Sequence, residues 1–265
     1  LKVDPKYSQA YNNLGIAFYS DGKVLESINS YKQAIKYKPD FEHAYFNLGN
    51  ALKKIIFKEP NPVLLNLIER LIDYQTLIRP KDIVKTAISL LKFDPKIITI
   101  FKKHSEGNLG SFLEEVIFIL SDIKVLLKFM SICPIPDLDF EALFKKIRSE
   151  ILFSVETFKK NKKLFDVQKA LALQCYTNEY IYEKTEQEKK TIEKLEKSLE
   201  EQISKGIKPN PIYILCLASY KGLSNYTWSS SITFSDEIEE VAIRQILEPK
   251  DEEKLKLKIP SLSNI

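Results

Sequence analysis

Two stretches near the N-terminus repeat each other at a fixed interval. Tyr11 and Tyr45, Asn13 and Asn47, Leu14 and Leu48, and Gly15 and Gly49 each lie 34 residues apart. Pro5 and Pro39 keep the same interval, so residues 1–7 read as the tail of an earlier unit. Inside the unit, Tyr11, Leu14 and Phe18 fall on one helical face. Gly15 carries no side chain to hold a partner helix off. Asp21-Gly22 makes a turn. Ser27, Ile28, Tyr31, Ala34 and Ile35 then form the inward face of a second helix, where the small Ser27 and Ala34 allow tight crossing. Pro39 ends that helix. The unit is a helix hairpin, and one hairpin cannot bury its own apolar face, so it must stack on neighbours.

This pattern resembles the tetratricopeptide repeat, whose period it shares. The resemblance covers one full unit, a preceding tail and a following first helix. The second unit departs from it. In phase, small residues are expected near 61 and 68 and a proline near 73, but Pro60 and Pro62 interrupt and Ile68 is large. We therefore expect 42–57 to be the last regular helix. Tetratricopeptide repeats would occupy 1–57, from an array cut at its N-terminus, and a different α-helical connecting domain would occupy 58–265. The fold class is all-α: the end of a helix-hairpin solenoid followed by an α-helical domain.

Composition excludes several functions. Hydrophobic residues make up 44% of the chain and glycines number only 7, which suits ordered, helix-rich protein. Net charge is only +4, and nearly all the basic residues are lysine; Arg70, Arg79, Arg148 and Arg244 are the arginines. Phosphate-reading surfaces favour arginine forks, so no nucleic-acid partner is expected. Cys133, Cys175 and Cys216 are scattered and odd in number, with only His43 and His104 available, which argues against a zinc site or disulfide framework. Reduced thiols and a cytoplasmic location are expected. Nothing resembles a signal peptide and no apolar run reaches membrane-spanning length, so no membrane partner is expected. Met130 is the one methionine, so Leu1 is not expected to be a natural start.

Past the repeats the chain reads as helices broken by proline. Helices are expected over 62–78, from Pro80 to about Asp94, and over 96–104. An apolar pair, 112–130, breaks at Ser121-Asp122. Glu106–Gly110 lacks the lysine and strand of a phosphate loop and reads as a plain turn. Cys133–Pro136 is a stiff turn before a helix carrying Leu143, Phe144, Ile147, Ile151 and Leu152, and Lys159–Lys163 is a basic loop. Residues 164–183 form a helix whose Gln174, Tyr176, Asn178, Glu179, Tyr180 and Tyr182 either line a pocket or satisfy one another in the core. Residues 184–204 form an amphipathic helix on Ile192, Leu195, Leu199 and Ile203. The apolar helix after Pro211 belongs at the domain centre. Tyr226–Trp228 is extended with Trp228 as a core plug. A helix from Ser235 to about Glu248 and a short last helix end the chain.

Several phrases are distinctive: Arg79–Ile83, LLKFMSICPIPDLDFE (126–141), ALALQCYTNEYIY (170–182), ILCLASYKGL (214–223) and RQILEP (244–249). They resemble bacterial tetratricopeptide proteins in which such a region joins the repeats to an S-adenosylmethionine-dependent methyltransferase domain. The resemblance implies that this chain is the scaffold and connecting part, with the catalytic domain downstream. It assigns no catalytic, cofactor or metal residue here, and S-adenosylmethionine belongs to the parent protein. In long tetratricopeptide arrays, asparagines at the repeat position of Asn13 and Asn47 line the inner groove and bind extended peptide through their amides. The resemblance thus gives a peptide groove of Asn12, Asn13, Ile16, Phe46, Asn47 and Asn50. The alternative for Asn13 and Asn47 is that they tie neighbouring helices together. The chain reads as a protein- or peptide-binding scaffold. A stand-alone adaptor, or the scaffold of a glycosyl- or sulfotransferase, remains open. An early stop codon downstream would mark the first, and nucleotide-sugar or sulfate-donor motifs downstream would mark the second.

Overall fold

The structure is a computed structural model and describes residues 6–53, 55–73, 78–107, 109–158, 162–233 and 235–250. The expectations for Pro5, for residues 159–161 of the basic loop and for a last helix beyond 250 lie outside these residues. The described chain is all-α and contains no strand. Backbone proximity groups it into two compact units. The first is Leu1–Thr99 with Lys124–Phe129 and Ile135–Asp137; the second is Ile100–Ile123, Met130–Pro134 and Leu138–Ile265.

In the first unit, α1 (Ser8–Ser20) and α2 (Val24–Tyr37) form the expected hairpin, and α3 (Glu42–Leu52) packs on α2. Gly22 makes the turn with φ +74°, a conformation that costs glycine little because it has no Cβ. Gly15 sets the closeness of the crossing: a Cβ there would sit 2.7 Å from Tyr31 Cδ1. Ser27, Ile28, Tyr31, Ala34 and Ile35 are all buried, as the inward face requires.

The expected domain boundary between 57 and 58 falls inside this unit. Helix α3 stops at Leu52 rather than 57, and a longer connection leads to α4 (Pro62–Asp73) and α5 (Pro80–Leu91). This connection is fastened from below. The Thr86 hydroxyl lies 2.7 Å from the carbonyl oxygens of Leu52 and Ile55, and the Phe57 N–H donates to Ser89 Oγ at 3.0 Å. A Cβ on Gly49 would meet Leu71 and Ile78 much as one on Gly15 would meet Tyr31. The connection is six residues longer than in the first hairpin (53–61 against 21–23), and α3 packs far less extensively on α4 than α1 does on α2. That insertion moves the second helix out of phase with the expected repeat, which is why Pro60, Pro62 and Ile68 look discordant in sequence. Pro80 takes the first turn of α5, where its missing N–H is harmless. Of the later helices, α6 (Pro95–Ser105) and α8 (Lys124–Ile132) are divided between the units.

The second unit contains α7 (Leu113–Ser121), α9 (Leu138–Phe153), α10 (Lys162–Thr177), α11 (Glu186–Ser204), α12 (Pro211–Ala218) and α13 (Glu239–Ala242), the last continuing as a π-helical turn, Ile243–Leu247. α12 packs against α10, α11 and α9, and all its residues except Tyr213 are buried. Its position at the centre follows from a sequence apolar on every side. Two expectations are corrected. α10 ends at Thr177, not near 183, because Glu179 and Tyr180 turn left-handed (φ 58° and 57°) and the Tyr180 N–H closes on the Cys175 carbonyl at 2.8 Å. The segment around Trp228 is a pair of 3-10 turns, Leu223–Asn225 and Thr227–Ser230, rather than extended. Trp228 is nonetheless buried, stacked on Tyr226 with ring centroids 4.7 Å apart.

Candidate functional site

The candidate groove is built by α1, α2 and α3. Because Gly15 has no side chain, the Tyr31 ring of α2 comes through to the α1 side. There Ile16, Tyr19, Tyr31, Asn47, Asn50 and Lys53 surround an open concavity of about 480 Å³. Ile16 and Tyr19 are 44% and 46% exposed, so the rim offers apolar and aromatic surface. Burial, with Tyr19 beside it, raises the Tyr31 pKa. Lys53 is drawn to Asp82 at 3.7 Å.

One hydrogen bond orders the floor: Asn47 Nδ2 donates to Asn12 Oδ1 at 3.0 Å. Asn12 is buried beneath, and the bond spends one Asn47 N–H while leaving its Oδ1 and second N–H for the groove. The six residues expected at the groove thus divide. Ile16, Asn47 and Asn50 line it. Asn12 supports Asn47 from below. Asn13 is exposed and accepts from Gln9 Nε2 at 3.1 Å, and Phe46 is 46% exposed; neither lines the concavity. The helix-tying asparagine of the first unit is therefore Asn12, one position before the repeated Asn13. Tyr19, Tyr31 and Lys53 were not anticipated as groove residues. Their signal is the helical spacing of Tyr19 from Ile16 and of Lys53 from Asn50.

The second unit holds a buried polar cluster that the sequence reading assigned no role. Arg148 is 1% exposed. Its Nη2 donates to the carbonyls of Glu183 (3.1 Å) and Tyr182 (3.4 Å) and lies 3.7 Å from Glu188 Oε1. Its guanidinium sits over the Tyr220 ring, 4.2 Å from the centroid. Glu188 accepts the Tyr220 hydroxyl at 2.8 Å, and closes a capping box on Thr185 that starts α11. The pattern Thr185-x-x-Glu188 was the available signal. Of the polar-aromatic run of 174–182, Gln174 and Tyr182 are buried, Tyr182 facing Arg148, and the half-buried Tyr180 donates to the Ala218 carbonyl at 3.3 Å, while Tyr176 and Asn178 are half-buried and Glu179 is exposed. Burial pushes the Cys175 and Cys216 thiols up to about 12, which outweighs the nearby Arg148 and leaves them unreactive. Among the described residues no group of three His, Cys, Asp or Glu side chains could hold a metal ion, and no helix is long and apolar enough to cross a membrane.

The family model described as a TPR repeat matches residues 17–55. The tetratricopeptide repeat domain-containing protein PYG7, chloroplastic, of Arabidopsis thaliana is 30% identical over 93 residues, covering 34% of this chain. The chain spans about 30% of that protein's length. No solved structure matches the chain. The α1–α3 region therefore carries a tetratricopeptide-type repeat, and the groove lies on it.

Proposed function

We propose that this chain is a protein- or peptide-binding scaffold whose groove between Ile16 and Lys53 takes an extended peptide. The observation that carries this reading is the Asn12–Asn47 hydrogen bond. It fixes an amide, with its carbonyl and one N–H left over, on the floor of a concavity rimmed by Ile16 and Tyr19. A peptide backbone needs both a donor and an acceptor, and an amide supplies both. The aromatic rim adds area at small entropic cost. Among the described residues nothing in the groove pairs a nucleophile with a base.

In the parent protein the scaffold presents a substrate or partner to a downstream S-adenosylmethionine-dependent methyltransferase domain. This part rests on the phrases between 79 and 249 that resemble such proteins. The resemblance assigns no residue of this chain to S-adenosylmethionine. The test has two arms. Titrating the chain with a library of extended peptides, and repeating it with Asn47→Ala, reads the groove; binding that Asn47→Ala does not weaken counts against it. Sequencing the gene beyond the codon for Ile265 reads the fusion. A strand, a glycine-rich loop and an acidic residue ending the next strand support it, and an early stop codon removes it.

A further inference from the structure

The first unit has a second concavity, between α2 and α4, of about 320 Å³, and it shares no lining residue with the peptide groove. Three cations line it: Lys32 and Lys36, one turn apart on α2, and Arg70 on α4. Among the described residues no carboxylate lines it. Asp40 is exposed and outside the lining, and Glu69, beside Arg70 in sequence, lies 3.8 Å from Lys128.

The cations are short of counter-charge. Lys32 is half-buried, and among the described residues its ammonium reaches only the neutral Asn61 Oδ1, at 3.5 Å. Burial pulls its pKa down, as expected for a cation without an anion. Arg70 is held in place rather than neutralised. Its Nη2 donates to the Pro39 carbonyl at 2.8 Å and its guanidinium faces the Tyr45 ring at 5.4 Å. That leaves Nε and Nη1 of a planar fork to donate elsewhere.

We propose that this concavity binds a phosphomonoester. A carboxylate would neutralise one of the three cations. A phosphate near neutral pH carries close to two negative charges and offers three acceptor oxygens, one for each cation. Apart from Gln33, the rest of the lining is apolar, with Ile35, Pro39, Val63 and Leu67 along it, and suits the carbon stem that carries the phosphate. The stem belongs either to a small phosphorylated metabolite or to a phosphorylated side chain of a protein.

The experiment is an NMR titration of the full chain, labelled in its lysine and arginine side chains. The probes are inorganic phosphate, O-phosphoserine, a phosphoserine peptide, and acetate as control. The expected result is that the Lys32, Lys36 and Arg70 signals move together and saturate with the phosphorylated probes but not with acetate. Lys32→Gln and Arg70→Gln should each weaken binding about tenfold or more, the loss of one charge-assisted hydrogen bond. A peptide that binds more tightly than O-phosphoserine assigns the site to a phosphoprotein, and equal affinity assigns it to a small ligand. Shifts that never saturate, or that acetate reproduces, overturn the proposal, as do variants that bind like the original chain. These variants touch no groove residue, so either outcome leaves the peptide reading to its own test.

Discussion

Substituting Glu188→Gln should destabilise the second unit by about 3 kcal/mol, the lower end of the cost of leaving one partner of a buried ion pair uncompensated. The substitution keeps the shape of the side chain but removes its charge, while Arg148 stays protonated. The guanidinium, 1% exposed, then has no carboxylate within 4 Å among the described residues. The new amide also puts an N–H where Tyr220 and Arg148 both need an acceptor, or else turns that N–H toward the Thr185 N–H. The lower end applies because the original contact is 3.7 Å and Arg148 keeps two carbonyls and the Tyr220 ring. Trp228 is the one tryptophan, and it is buried in the second unit, so its fluorescence during urea unfolding reports on that unit. The double substitution Arg148→Met with Glu188→Gln removes both charges and should recover about 2 kcal/mol relative to the sum of the two single losses. A loss below about 1 kcal/mol for Glu188→Gln, or strict additivity in the double variant, would refute the view that a charge pair orders this core.

Acid should act on the same residue. Burial pushes the Glu188 carboxyl up, but the Thr185 backbone N–H, the Tyr220 hydroxyl and Arg148 outweigh it and hold the pKa below its ordinary 4.5. A depressed carboxyl contributes stability above its unfolded value and loses it as pH falls through the folded one, so the Trp228-monitored midpoint should fall below pH 4.5 in the original chain and fall less in Glu188→Gln. Gly15→Ala should cost about 1–3 kcal/mol by overpacking against the rigid Tyr31 ring; Gly49→Ala, whose closest obstacle is the end of the Ile78 side chain, should cost less, as calorimetry of the two variants would read. Glu179→Gly should stabilise the second unit by about 1 kcal/mol, because Glu179 is exposed and left-handed, where a side chain is strained; an unchanged or lower urea midpoint would count against that strain. Asn47→Ala leaves the buried Asn12 Oδ1 without its donor and should cost the first unit about 1–3 kcal/mol, seen as a lower melting temperature.

The amino-acid pattern alone specifies the repeat and its hairpin. Gly15, Ser27 and Ala34 are small because two helices cross there, and such local geometry is written at fixed spacing. It also determined most helix starts and stops, since proline acts on its own turn: Pro62, Pro80, Pro95 and Pro211 each open a helix. Packing, not local pattern, sets where the first compact unit ends. The six extra residues before α4 break the period in sequence, yet cost little in space because Thr86 and Ser89, distant in sequence, fasten the connection. The same holds for which asparagine serves the groove. Asn12 and Asn13 are neighbours facing different directions on one helix, and only the packing of α3 selects Asn12 as the partner of Asn47. Arg148 and Glu188 look like ordinary surface charges in a lysine- and glutamate-rich chain. Their burial depends on carbonyls, a ring and a capping box from segments more than 30 residues apart, and no local pattern encodes a meeting of that kind.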